Sequence, residues 1–570
     1  MLTRNVKQRT IELNLGHLGG VESCESLMPV STRPIRTPMD LMAIYLSPVV
    51  GVGPRLRAET IDKRLAQLPL IPVLLLLAQI NFRADVVDSV QDRIAFAQYL
   101  LPSAIARRAI ELMRSDAQYH VVGSQVVTRF AFRALVNCDA RSGGAVPTNL
   151  PQRLGELLLS YAGIVEEESD ATEEISLEIV RLELWYRLRD YDRWYEVAHR
   201  IIFEILPSLR GHADWIDSRQ ILEDAAGMTL DLFWALTTTF GVAVANDRNS
   251  FRFPKYTDTD HVDNADIDRW DRFWSTSLDE ARMAAQADLA NGLWLFNTFY
   301  NKPLLDLGNG TSIVIRPWFL ANKATPTGFY ATVEQLMGND REMTGKWGRL
   351  FGQAVDKLGR TLIAEHCPGV QLLADETAIR SAWGDGMACD SVILGDDWLA
   401  IDFVHRRISR ETGTTGDLTY LAKDLQIGVV DKLIQIDATL ARGVETSGAP
   451  QGKMYPLVVI GSQFPINGLV LNEIDRMLDV KQPKVIGVDR VKCAPPLVVD
   501  VGEFWMLLEV AQNKGVTPAS LIEDWLSSPL GLVSFRNWLV TNGPGQPPVP
   551  TGTRRRYANH AALHLFGREA

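Results

Sequence analysis

Residues 389–407 read CDSVILGDDWLAIDFVHRR. Two apolar runs flank the turn-forming Gly395, Asp396 and Asp397, which predicts two strands joined as a hairpin. Side chains alternate along a strand, so Leu399, Ile401 and Phe403 share one face while Ala400, Asp402 and Val404 share the other. A carboxylate in the middle of an apolar strand is costly unless it is paired or bound to a metal. Asp390 opens the preceding strand, so pairing of the two strands brings two carboxylates close together. Paired carboxylates with an open position suit Mg²⁺, a hard cation that takes oxygen ligands.

The same grammar extends outward from this hairpin. A helical pattern covers 346–366 (KWGRLFGQAVDKLGRTLIAEH), followed by β-like runs at 370–374, 389–394 and 398–404. A helix is expected at 417–443, a strand at 455–462, a helix at 471–479, and strands at 485–488 and 496–501. Interleaved helices and strands of this kind predict an α/β domain. Its expected bounds are 341–505, with a helical tail and flexible arm over 506–570.

This order resembles the core of the PD-(D/E)XK, or restriction-endonuclease-like, superfamily. Its pattern is a helix carrying an acid, a strand starting with Asp, a hairpin turn, a strand ending in (Asp/Glu)-x-Lys, and another helix. Asp390 matches the first motif Asp and Asp402 the (D/E). Asp356 matches the acid of the first helix, Glu365 is a second candidate on that helix, and Glu376 ranks below both. Two positions depart from the pattern: Cys389 stands where Pro precedes the Asp, and Val404 stands where the Lys belongs. The family's Lys can move to the following helix, where Lys423 is the nearest substitute, about one turn before Gln426. His405 should point away from Asp402. The resemblance implies metal-assisted phosphodiester hydrolysis. Asp390, Asp402 and Asp356 or Glu365 would hold Mg²⁺ (or Mn²⁺), and Lys423 with Gln426 would assist the attacking water. The alternative is an inactive pseudo-nuclease serving as a protein-binding or nucleic-acid-binding scaffold. A prokaryotic defence or DNA-processing role follows by fold-level analogy alone.

Upstream of the α/β unit the chain reads as helical. Apolar residues recur at helical spacing between 56 and 140. RSGGAVPTNLP (141–151) is a linker, with Gly143, Gly144, Pro147 and Pro151 as breakers. The acidic run 166–174 reads as a solvated helix start. Trp185, Tyr186, Trp194, Tyr195, Trp234, Trp270, Trp274 and Trp294 read as aromatic seams between helices. The expected domains are a helical one over 1–145, a second over 152–300 and a β-hairpin connector over 301–340. The connector rests on Asn309-Gly310, a strong hairpin signal.

Composition bounds what this architecture can do. The 570 residues carry 58 Lys and Arg against 69 Asp and Glu, a net charge of −11, and are 46% hydrophobic. An ordinary apolar fraction excludes disordered and fibrous classes. Net acidity confines any nucleic-acid contact to a local cleft and leaves the helical region as a surface for a protein partner. Cys24, Cys138, Cys367, Cys389 and Cys493 are scattered without a CxxC pair, which argues against a disulfide framework or a Cys-ligated zinc. Residues 1–20 hold no apolar h-region, so no signal peptide is expected. The run 68–78 (LPLIPVLLLLA) is too short for a bilayer and reads as a core helix. A cytoplasmic protein without membrane contact is the expectation.

Other motifs are weak. GAPQGKM (448–454) falls short of a P-loop. Arg554, Arg555 and Arg556 read as a solvated arm. His560 and His564 stand four apart, and two histidines alone do not make a metal site.

Overall fold

The computed structural model describes residues 44–48, 50–86, 89–116, 119–140, 146–170, 191–245, 250–252, 262–291, 297–308, 310–338, 340–406, 409, 412, 418–462, 468–488, 491–528, 535–541 and 556–567. The described chain is mixed α+β and mainly helical. Trp185, Tyr186, Trp294, Asn309, Arg554, Arg555, the linker residues 141–145 and the acidic run's 171–174 lie outside these residues.

The first helical block consists of Ala58–Leu65, Leu70–Val86, Val90–Leu100, Ser103–Ser115, Ser124–Asn137 and Leu150–Asp170. The apolar run expected as a core helix lies largely in Leu70–Val86, where Val73, Leu74, Leu77, Ala78 and Ile80 are buried. Among the described residues no single helix is long and apolar enough to cross a membrane. The pair Ser218–Ala226 and Leu230–Val244 meets that test only jointly and is bent by 73°. The hairpin expected within 301–340 is present. Leu304–Asp306 pairs antiparallel with Thr311–Val314, and Gly308 and Gly310 both take positive φ in the turn. It is the centre of a four-stranded sheet completed by Ser250–Arg252 and Ser275–Ser277. Trp234, Trp270 and Trp274 are fully buried in a helical core, which agrees with their reading as packing residues.

The five-stranded sheet positions the site. Its strands are β1 (Gln371–Leu373), β2 (Ser391–Leu394), β3 (Trp398–Val404), β4 (Met454–Ile460) and β5 (Leu497–Asp500), in spatial order β5-β4-β3-β2-β1. The β1–β2 and β2–β3 pairs are antiparallel, and β3–β4 and β4–β5 are parallel. Helices cover both faces, which is why β4 is buried along its whole length. On one face α1 (Arg341–His366) packs with Leu399, Ile401, Phe403, Leu457 and Val459. Asp340 caps α1 by accepting from the N–H groups of Glu342 and Met343, and the helix stops just before Pro368. The other face holds Val392, Ala400, Val458 and Ile460. It is covered by α2 (Glu376–Trp383), α4 (Asp431–Ser447) and α5 (Gly468–Lys481). The helix α3 (Leu418–Leu425) runs into α4 through a π-helical segment, Gln426–Val430. Beyond β5, α6 (Val501–Lys514) returns to the α1 face.

Two local expectations change. Residues 485–488 form bends and turns rather than a strand. The Asp437 carboxylate accepts from the N–H groups of Lys484, Val485 and Ile486, which removes them from any ladder. Residues 376–383, between the first strand and the hairpin, form α2, capped by Asp375.

Candidate catalytic cluster at the β2–β3 pair

Asp402 sits in β3 with no solvent exposure. Ser391 pairs with Ile401 in the β2–β3 register, so one further step sets Asp390 directly across from Asp402. Cross-strand neighbours lie on the same face about 4.5–5.5 Å apart at Cβ. Asp390 is held there by its own backbone: its N–H donates to the Ile401 carbonyl at 3.1 Å, and its Oδ2 accepts from the Phe403 N–H at 2.7 Å. The register thus sets the two carboxyl groups side by side on one face of the sheet. Burial, and after it the negative charge of Asp390, drives the Asp402 carboxyl well above the usual carboxylate range, while Lys432 opposes this.

Lys432 is the cation of the cluster. It follows the π segment as the second residue of α4, and its Nζ lies 2.8 Å from Asp402 Oδ1. Burial alone would depress its pKa, but the charges of Asp402 and Asp390, with that of Glu376 beyond, outweigh it and hold Lys432 above its ordinary value. The contact is an ion pair. Among the described residues neither Asp402 oxygen has a hydrogen bond of good geometry.

Asp356 reaches the same cluster from α1. Burial first, and the charge of Asp390 second, push its carboxyl up to about 6, against the pull of Arg360 and Lys432. Arg360 donates to Oδ2 from the next turn, while Oδ1 is buried and has no hydrogen-bond partner among the described residues. Glu376, at the first position of α2, pairs with Arg380 at 2.7 Å and faces Lys432 at longer range.

The rest of α4 holds the chain that leads into Asp390. Gln435 donates to the Ala388 carbonyl, Thr439 accepts from the Cys389 N–H at 2.9 Å, and Arg442 donates to the Met387 carbonyl. With Lys432 these side chains form one helical stripe along the hairpin entrance. Cys389 is fully buried, and burial with the neighbouring carboxylates raises its thiol pKa, which makes it an inert packing residue.

The other candidates fall elsewhere. Glu365 is clamped by Arg200, whose two terminal nitrogens donate to it at 2.8 and 2.6 Å. Lys423 is exposed on α3 and makes no hydrogen bond or ion pair to the acids among the described residues. Gln426 donates to Asp431. The lysine that meets the carboxylates is therefore Lys432 rather than Lys423. Its sequence signal is the polar stripe Lys432, Gln435, Thr439 and Arg442 at helical spacing. His405 packs on Tyr330 and Phe351, away from Asp402, as alternation requires. Lys453 of the GAPQGKM stretch pairs with Glu523. Arg556, read as part of a solvated arm, instead pairs with the buried Glu196 at 3.0 Å.

No protein-family model matches the chain, and no curated protein or solved structure matches it.

Proposed function

We propose that this chain is a metal-dependent phosphodiester hydrolase acting on nucleic acid. The observation that carries the reading is the fully buried Asp402 set across from Asp390 in the β2–β3 register, with the Lys432 ammonium 2.8 Å from it. The helix-acid, Asp-led strand, hairpin, acid-bearing strand and helix occur in the order of the resemblance, and Lys432 supplies the charge that Val404 cannot. Asp390, Asp402 and Asp356 would offer oxygen ligands to a hard divalent cation once drawn together; their carboxylate oxygens are not among the groups of three ligand atoms within 4.8 Å of one another in the described residues. When bound there, Mg²⁺ or Mn²⁺ supplies Lewis-acid charge and an acidified water. Asp390 and Asp402 hold the charge of the site, Asp356 closes it from α1, and Lys432 sets positive charge against the carboxylates where negative charge develops on phosphate.

The test is Mg²⁺- and Mn²⁺-dependent cleavage of plasmid and single-stranded DNA and RNA, with Asp402→Asn and Asp390→Asn as controls. Cleavage that falls about a hundredfold or more in either folded variant supports the reading. No cleavage by folded wild-type protein with any of these metals overturns it. That outcome would leave the scaffold, which Val404 favours.

A further inference from the structure

The cluster farthest from the hairpin in sequence lies where the last described helix docks on an earlier one. Asp231 occupies the first turn of the helix Leu230–Ala245, and His560 and His564 lie on one face of Arg556–Phe566, four residues apart. Asp231 Oδ1 is 3.9 Å from His560 Nε2 and 3.8 Å from His564 Nε2, and one ligand atom from each of the three residues lies within 4.8 Å of the others. Arg219 donates to the other oxygen, Oδ2, at 2.7 Å, which fixes the carboxylate and leaves Oδ1 turned towards the imidazoles. His560 is boxed by Phe203 at 4.3 Å and by His199 and Trp234. Its Nε2 also lies 3.2 Å from the Asp231 carbonyl oxygen.

We propose that Asp231, His560 and His564 bind one borderline divalent cation of the zinc type. Two imidazole nitrogens with one carboxylate oxygen select Zn²⁺ and its first-row neighbours over Mg²⁺ or Ca²⁺. Bonds of about 2.0–2.2 Å set the ligand atoms of a tetrahedral ion roughly 3.4 Å apart, so binding draws Asp231 Oδ1 about 0.5 Å nearer each imidazole. Three protein ligands leave the fourth position for water, on the side where His564 is partly exposed. The ion would tie the helix Arg556–Phe566 to the helix Leu230–Ala245. The site shares no residue with the Asp390–Asp402 cluster.

The full-length chain, stripped with chelator, is titrated with Zn²⁺ by calorimetry and followed by thermal unfolding; Co²⁺ serves as the visible-absorption probe. The expected result is Zn²⁺ binding and a raised Tm in wild type and in Asp402→Asn alike. Binding falls at least tenfold, and the Co²⁺ band is lost, in His564→Ala and in Asp231→Asn. His564→Gln, at the exposed position, repeats the loss if His564→Ala proves misfolded. No Zn²⁺ binding by folded wild type, or equal binding in folded His564→Ala and His564→Gln, overturns the proposal.

Discussion

Lys432 Nζ stands 2.8 Å from Asp402 Oδ1. The lysine is on a helix laid over the sheet, the aspartate is a fully buried strand residue, and the two meet only because α4 crosses β3. The pair ties the stability of the domain to the chemistry proposed for it.

Removing the cation strands the buried acid. Lys432→Met leaves Asp402 uncompensated and should cost about 3–5 kcal/mol, the usual penalty for breaking a buried pair from one side. Asp402→Leu combined with Lys432→Met should recover most of that loss while abolishing cleavage. Urea unfolding of the two single variants and the double variant measures it. Additive losses would mean that the two side chains do not interact.

Asp356 makes stability depend on pH. Its folded carboxyl is raised from the usual 3.8 to about 6, so the fold binds the proton more tightly than the unfolded chain does. The contribution is fully present below pH about 4 and is lost as pH rises through about 6. At about 1.4 kcal/mol per tenfold it amounts to on the order of 3 kcal/mol. Unfolding free energies of wild type and Asp356→Asn, compared between pH 4 and 7, should diverge, with wild type losing ground as pH rises. A constant difference across that range contradicts a buried Asp356 beside Asp390.

Glu365 is a structural partner. Its carboxylate receives both terminal nitrogens of Arg200, which is 2% exposed, and Arg200 also lies over the Trp505 ring at 5.4 Å. Glu365→Gln should lower stability by about 1.5–3 kcal/mol, the range for hydrogen bonds to charged groups, and leave metal-dependent cleavage within about twofold of wild type. A variant of full stability that has lost cleavage would instead make Glu365 a metal ligand.

Gly359 sets how closely α1 lies on β3. A Cβ there would stand 2.0 Å from the Phe403 ring, and the Phe403 N–H donates to Asp390. Helix propensity alone favours alanine over glycine by up to about 1 kcal/mol. The clash reverses the sign, and Gly359→Ala should destabilise by about 1–3 kcal/mol. It should also weaken cleavage by moving the backbone that holds Asp390. A rise in Tm would refute the close contact.

Much of the α/β unit was legible because its signals are local. Alternation along 398–404 put Leu399, Ile401 and Phe403 on one face and Ala400 and Asp402 on the other, and the two faces do pack against different helices. The short turn set the register that opposes Asp390 to Asp402. The helical spacing of 346–366 placed Asp356 on α1. The strand expected at 485–488 failed because a distant carboxylate, Asp437, took its N–H groups, and periodicity cannot register such a partner.

By itself the sequence determined the helical blocks, the hairpin and the pair of opposed acids. Each follows from spacing within a few residues, where backbone geometry dictates which side chains share a face. Only the tertiary structure decided which cation answers those acids, because Lys423 and Lys432 lie on one continuous helical stretch broken by a π segment and its crossing over β3 selects between them. It also decided that Glu365 belongs to Arg200, and that Asp231 joins His560 and His564. Those contacts join segments far apart in the chain, so they depend on how whole elements pack rather than on the order of residues within any one of them.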